Sequence, residues 1–442
     1  MANRTVKIDH LYRVEGHGGI RVELDGKKLL DVQMEIFEGS RFFEALIRGR
    51  HYKDVPMIMC RICAICSASH RTVAIRAVEK AIGLEVSRQT KLFRELLIMG
   101  EMIESHTLHL FCLAAPDFLG FPGVAAMADR HEGVVRMGLG LKKLGNAIQE
   151  LVGGRKIHQV NAEVGGFSKI PEKEALLKLR NELESKIPDA HSSIAFIEGI
   201  TQENLTKSPS VFSALDDESG NYCYHGDTIL VSTGDKLPVH KYKELCNEFV
   251  VSHSHAKHSR YKDKPLMVGS LARVNFHRGK LTGKAQSEME RLEKSYDPHN
   301  ILWNNLAQAV EVLQAMERGI ETIDLIMKEG YKEEEPAVPG KISGGSGAAG
   351  TEAPRGTLFH SYTVDEKGIV TDADVITPTA INLENMEKDI RAATEMGISD
   401  PEEELKLKLE KVARAYDPCI SCSVHLVDMR EKQASSLPVS SS

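Results

Sequence analysis

The stretch Asp417-Pro418-Cys419-Ile420-Ser421-Cys422-Ser423-Val424-His425 organises the chain. Two cysteines three apart, stiffened by a proline just before and followed three residues later by a histidine, can bring two sulfurs and an imidazole to one point. Two thiolates do not complete a metal site. The segment Arg61-Ile62-Cys63-Ala64-Ile65-Cys66, with His70 four residues further on, is the obvious source of the others. A single C-x-x-C reads as half of a zinc site or as a redox disulfide. Here nearly the whole chain lies between the two pairs, far beyond the spacing of a zinc ribbon. That separation suits a buried centre assembled by the global fold, in which soft thiolates hold a soft or borderline transition metal.

Cys60 adds a third cysteine at the same spacing, and Cys60-x-x-Cys63-x-x-Cys66 is part of an iron-sulfur pattern. Ser67-Ala68-Ser69 supplies neither the fourth cysteine nor the proline that pattern needs, so Cys60 reads as a packed thiol. With 442 residues the chain can bury a large core. Its 63 acidic and 56 basic residues give a net charge of -7, which offers nucleic acid no electrostatic footing. No uninterrupted apolar run approaches 20 residues, and the polar start Met1-Ala2-Asn3-Arg4 lacks the apolar core of a signal peptide. The chain therefore reads as cytoplasmic and without a membrane span. In that setting eight cysteines point to metal or redox chemistry rather than to a disulfide framework.

The periodicity predicts an α+β fold, predominantly α, with a core of long bundled helices and small peripheral sheets. A hairpin is expected from Gly19 to Glu38, turning at Asp25-Gly26, and a short helix from Arg41 to Arg48. Helices are expected from Ser87 to about Leu113, stopped by Pro116 and Pro122, from Asp129 to Leu151, and from Pro171 to Lys186. A strand-rich insert is expected at 207–240. Helix returns at Ala285–Ser295 and Asn300–Met327, then a long glycine-rich loop takes in Gly340 to Gly350. A second hairpin, Thr357 to Val375, precedes a helix from Pro401 to Tyr416 that delivers the last cysteines. Residues 1–425 read as one domain, and the serine-rich 426–442 as a poorly ordered extension.

The two cysteine pairs resemble the signatures of one family, the large catalytic subunit of nickel-iron hydrogenases. Arg61, Cys63, Cys66 and His70 match its N-terminal motif, and Asp417, Pro418, Cys419, Cys422 and His425 its C-terminal one. A third motif, R-x-E-G-H, is matched by Arg13-Val14-Glu15-Gly16-His17. Glu38-Gly39-Ser40-Arg41-Phe42-Phe43-Glu44, Glu352-Ala353-Pro354-Arg355-Gly356 and Ile376-Thr377-Pro378-Thr379 are similar to the cytosolic NADP-linked branch, also called sulfhydrogenases. Two departures stand out: Ala64 replaces the family's usual glycine, and Ser105 stands where many membrane-bound relatives place an aspartate.

The resemblance implies reversible cleavage of H2. It implies that Cys63, Cys66, Cys419 and Cys422 ligate nickel, with Cys66 and Cys422 also bridging to an iron that carries carbonyl and cyanide ligands. By the same resemblance Cys419 is the base and Glu15 the carboxylate that takes the proton onward. Arg355 offsets the anionic thiolates and pairs with Asp417, while His70 donates to a cysteine sulfur. Glu44, His425 and the Val375 carbonyl hold a magnesium or iron ion. Electrons leave through a small iron-sulfur subunit towards flavin and NADP on further subunits. Nickel chaperones load the metal and an endopeptidase cuts after His425. Two rivals are a metal-free relative of the quinone-binding subunits of complex I and a zinc-stabilised, non-catalytic protein.

Three other signals are discounted. Gly345-Ser346-Gly347-Ala348-Ala349-Gly350 matches a dinucleotide-binding pattern but has no apolar strand before it. His253, His255 and His258, close to Lys257, Arg260 and Lys262, read as a solvated or partner-facing surface. Glu402-Glu403-Glu404 suits a helix N-terminus.

Overall fold

Helix α1 Ser67–Ile82 gives only Ala68 and Ile75 to the largest apolar core and packs Val73, Ala74, Ala77 and Val78 into the cluster around the four cysteines, whereas α2 Arg88–Leu108, α3 Val124–Gly153 and α4 Lys173–Ile200 form most of the largest core. A fifth, α5 Trp303–Glu329, lies among them and contributes Leu306, Val310, Leu313 and Met316 to the interior. The Ser87 hydroxyl caps α2 by accepting from the Thr90 N–H at 3.0 Å. Where α2 crosses α3 the backbones nearly touch: a Cβ on Gly145 would stand 2.5 Å from Glu104 N, so only glycine permits the approach. The computed structural model describes residues 3–206, 208–217 and 219–425.

Among the described residues, three sheets of three or more strands flank the bundle, beside a two-stranded pairing of Ala162–Glu163 with Gly166–Phe167. Strands β1 Asn3–Ile8, β2 Gly18–Asp25 and β3 Lys28–Ile36 form an antiparallel meander, one strand more than the expected hairpin. The strand-rich region is larger than 207–240, because its sheet runs on to Met267. Its strands are β4 Val211–Asp216, β5 Thr228–Val231, β6 Lys236–Pro238, β7 Asn247–Phe249, β8 His258–Tyr261 and β9 Lys264–Met267, in the order β6-β5-β4-β9-β8-β7. The third sheet comprises β10 Gly345–Ala353, β11 Gly356–Val364 and β12 Val370–Ile376. Here the glycine-rich loop expectation fails, since Gly345 to Gly350 begin β10. The glycines are spacers: a Cβ on Gly347 would come 2.3 Å from the Ala77 carbonyl of α1.

The Pro116 stop is softer than expected, because a π-helical turn at His109–Ala114 re-registers the chain and Ala115–Leu119 resumes as helix. Helix α4 runs through Pro188 to Ile200, well past Lys186. Two helices close the chain, α6 Pro378–Met396 and α7 Glu402–Ala415. The expected tail, 426–442, lies outside the described residues.

Tyr416, at the end of α7, donates to Asp389 of α6 at 2.6 Å and ties the cysteine-bearing segment to that helix. Burial raises the Asp389 carboxyl from 3.8 to about 6, against the opposing pull of Lys388 and the Tyr416 hydrogen bond. An acid with a raised folded pKa stabilises most at low pH, and that contribution fades as pH climbs from about 4 through about 6. The shift corresponds to about 3 kcal/mol. Asp389→Asn should flatten this slope. In denaturant melts it should match the wild type at pH 4 and exceed it at pH 8.

Candidate metal centre

The C-terminal loop is shaped before it reaches the sulfurs. Asp417 adopts φ +50, an uncommon left-handed conformation for a residue with a Cβ, and Pro418 fixes the next step. The Cys419 N–H then donates to Thr379 Oγ1 at 2.9 Å, and the Thr377 hydroxyl donates to the Cys422 carbonyl at 3.0 Å. The start of α6 thus holds both cysteines. From the other end, Ile420 N–H donates to the Glu15 carbonyl at 2.9 Å and Arg41 N–H to the Val424 carbonyl at 3.1 Å. A Cβ on Gly16, at φ +86, would meet Ile420 Cβ at 2.8 Å, so this close seam requires glycine.

The N-terminal pair sits between a 3₁₀ turn at Cys60–Ile62 and α1, with Cys66 as the residue before the helix. Cys63 Sγ lies 3.5 Å from Cys419 Sγ, and Cys66 Sγ 3.9 Å from Cys422 Sγ. All four sulfurs lie within 4.8 Å of one another, and none of the four residues is more than 5% exposed. Cys419 Sγ and Cys422 Sγ also stand in contact with each other, so the four sulfurs form one cluster that can act as a thiolate ligand set. The Cys66 thiol is held well above its ordinary pKa by its hydrogen bond with Cys63 and then by burial. Binding a metal there releases that proton. Four convergent sulfurs in a dry interior fit a soft transition-metal centre.

Arg355 reaches this cluster from the turn between β10 and β11. Its Nε donates to the Asp417 carbonyl at 2.8 Å and its Nη2 to Asp417 Oδ1 at 3.1 Å, the expected pairing. Burial opposes its charge, yet Asp417 first, then Cys66, Cys63 and Glu15, raise its pKa above the usual value. Its Nη1 is buried with no partner, a cationic donor left over beside the sulfurs. Glu15 Oε2 lies 3.1 Å from Cys419 Sγ and accepts from Ser421 N–H at 3.0 Å, and Oε1 accepts from the Ser421 hydroxyl.

His70 is placed differently from expectation. Its Nδ1 faces His360 Nε2 at 3.1 Å, not a cysteine sulfur, and His360 continues to the Tyr362 hydroxyl at 2.6 Å. Burial, then His425 and Arg41, pushes His70 down to about 3, so it is neutral. Glu44 Oε1 lies 2.9 Å from His425 Nδ1 but off the hydrogen-bond direction, which leaves that buried nitrogen without a partner. Val375 pairs with His360 across β11 and β12 and packs in the same apolar cluster as the four cysteines. Ser105 is buried in α2 with its hydroxyl unpartnered.

Several supporting groups escape sequence reading. Gln308 donates to Asp417 Oδ2 at 3.2 Å and is itself bonded to His109, which also contacts the Arg414 carbonyl at 2.8 Å. Glu101 accepts from Ala68 and Ser69 N–H at the start of α1, and burial lifts its carboxyl to about 7. Thr379, Gln308, His109 and Glu101 carry no motif of their own. Ser421 could have been singled out, since it stands between the two cysteines.

A family model described as nickel-dependent hydrogenase matches residues 41–134 and 181–425. The chain is 40% identical to the sulfhydrogenase 1 subunit alpha of Pyrococcus furiosus, over 96% of this chain and 98% of that protein. It is 27% identical to the NAD-reducing hydrogenase HoxS subunit beta of Cupriavidus necator, over 96% and 95%. Among solved structures, an NAD+-reducing [NiFe]-hydrogenase in the H2-reduced state superposes with a TM-score of 0.86 at 27% identity, covering 96% of this chain and 99% of that one.

Proposed function

From the premise that this chain belongs to the nickel-dependent hydrogenase family and is a catalytic hydrogenase subunit, we propose how its residues divide the work of cleaving H2 into protons and electrons. The observation that carries the reading is the meeting of four cysteine sulfurs within 4.8 Å. Cys63, Cys66, Cys419 and Cys422 would hold a nickel-iron centre with carbonyl and cyanide on its iron, and such a centre, when bound, would supply the redox chemistry for splitting dihydrogen.

The chain's own groups manage charge and protons. Arg355, locked by Asp417 and with Nη1 buried and unpartnered, keeps a fixed positive charge next to the anionic sulfurs. Cys419 Sγ takes the proton and passes it to Glu15 Oε2 across 3.1 Å, with Ser421 holding the carboxylate in line. His70 and His360, neutral and hydrogen-bonded to each other, back the N-terminal pair. Glu44, His425 and the Val375 carbonyl hold a magnesium or iron ion, for which the unpartnered His425 Nδ1 is a ready ligand. Electrons pass to a small iron-sulfur subunit and on through flavin to NADP in a cytoplasmic assembly. Residues 426–442 are removed after His425 once nickel chaperones have loaded the site.

Elemental analysis and infrared spectroscopy of the matured complex test this reading. Nickel plus iron, with carbonyl and cyanide stretches, is expected. Zinc alone would make the protein a zinc-stabilised scaffold, and no transition metal at all would make it a metal-free relative of complex I.

One helix among the described residues, 88–119, is long and apolar enough to cross a membrane, and 83% of its apolar window is buried inside the fold. Its hydrophobicity therefore serves the core.

A further inference from the structure

The histidines discounted as surface in the sequence converge. His253 Nε2 lies 2.8 Å from Glu387 Oε1, and His258 Nδ1 lies 3.0 Å from Glu384 Oε2 and 4.0 Å from Glu387 Oε2. Glu384 and Glu387 stand one turn apart on the same face of α6. His258 opens β8, and His253 sits in the loop that feeds it. We propose that His253, His258 and Glu387, whose ligand atoms lie within 4.8 Å of one another, form a second metal site with Glu384 at its edge, distinct from the cysteine centre, which takes one zinc-class divalent ion through nitrogen and oxygen ligands.

The spacing supports a tetrahedral ion. Ligand bonds of about 2.0–2.1 Å place neighbouring donor atoms about 3.3 Å apart. The nitrogen–oxygen separations, 2.8 Å from His253 to Glu387 Oε1 and 3.0 and 4.0 Å from His258 to Glu384 Oε2 and Glu387 Oε2, lie on either side of that edge. The two carboxylates are only partly neutralised: Arg260 engages Glu384 Oε1 and leaves Oε2 to His258, while Glu387 Oε1 is shared between the Met34 N–H at 2.7 Å and His253, and its Oε2 lies 4.0 Å from His258. Those outer contacts are the kind that orient metal ligands. His258 is fully buried, and its Nε2 has no partner, so the ring is fixed only through Nδ1. The His253, Glu384 and Glu387 side chains remain 15–18% exposed, a shell open enough for an ion to enter.

An ion here would clamp the six-stranded sheet to α6. The first turn of that helix holds Cys419 through Thr379, so the clamp steadies the support of the catalytic loop. The site does not depend on the roles proposed for the cysteines.

The purified hydrogenase complex, dialysed against a mild chelator and loaded with one equivalent of zinc per chain, provides the test. X-ray absorption should show zinc with nitrogen and oxygen neighbours and no sulfur. His253→Ala and Glu387→Gln should lose that zinc while keeping nickel. His255→Ala, changed in the same loop, should keep both. No zinc retained, zinc bound to sulfur, or nitrogen- and oxygen-ligated zinc that survives in the His253 and Glu387 variants would each overturn the proposal. Cobalt(II) in place of zinc gives a second readout: tetrahedral visible bands are expected in the wild type, and bands persisting in His253→Ala would count against the site.

Discussion

Glu15→Gln should slow hydrogen turnover about a hundred- to ten-thousandfold, the usual weight of a positioned proton acceptor. Glutamine keeps the carboxylate's shape, and its carbonyl can still accept from the Ser421 N–H. It cannot carry a proton away from Cys419. The loss should therefore fall on exchange between H2 and the deuterons of heavy water, whereas conversion of para- to ortho-hydrogen, which needs only cleavage and recombination at the centre, should survive. Metal content and the infrared spectrum should not change. Unimpaired exchange with solvent would remove Glu15 from the route.

Arg355→Ala should act more broadly. The substitution strands Asp417 as a buried carboxylate with only Gln308 for company, and losing one member of a buried pair costs about 3–5 kcal/mol. It also strips the sulfur cluster of its fixed cation, so activity per bound nickel should fall by at least about a hundredfold. Arg355→Lys should recover part of the stability but little activity, because a single ammonium cannot reach the Asp417 carbonyl and carboxylate together. Pairing Arg355→Ala with Asp417→Asn separates the effects: stability should return towards wild type in denaturant melts while turnover stays low. A double variant that regained activity would show that the cation is dispensable.

The meeting of the four cysteines was legible because they are chemically unusual residues paired at fixed short spacings, and spacing survives in a sequence. What brings those donors together was not. Helix α1 follows Cys66 directly but is buried on nearly every side, so it lacks the one-sided apolar stripe that marks a surface helix. Helix α6 went unread as well. Strand β10 looked like a loop because its glycines clear space for the α1 backbone, a demand set entirely by a neighbouring element. His253 and His258 looked solvated because their sequence neighbours are basic, while the carboxylates they face lie more than a hundred residues away on α6. His70 matched its motif, yet its ring turned to His360, 290 residues further along. Short-range chemistry could be read from the chain, whereas partners chosen by tertiary packing could not.

The pairing of Cys63 with Cys419 and of Cys66 with Cys422 spans 356 positions in each case. At ordinary elongation speeds of about 5–20 residues per second, roughly 20–70 seconds pass on the ribosome between the emergence of the first pair and the second. Throughout that interval the growing polypeptide presents two cysteines against a half-made wall. The seam along Glu15 and Arg41 cannot zip until the final segment arrives. The architecture therefore imposes a calendar: the wall that carries Cys63 and Cys66 waits for residues 417–425 before the four sulfurs can be enclosed.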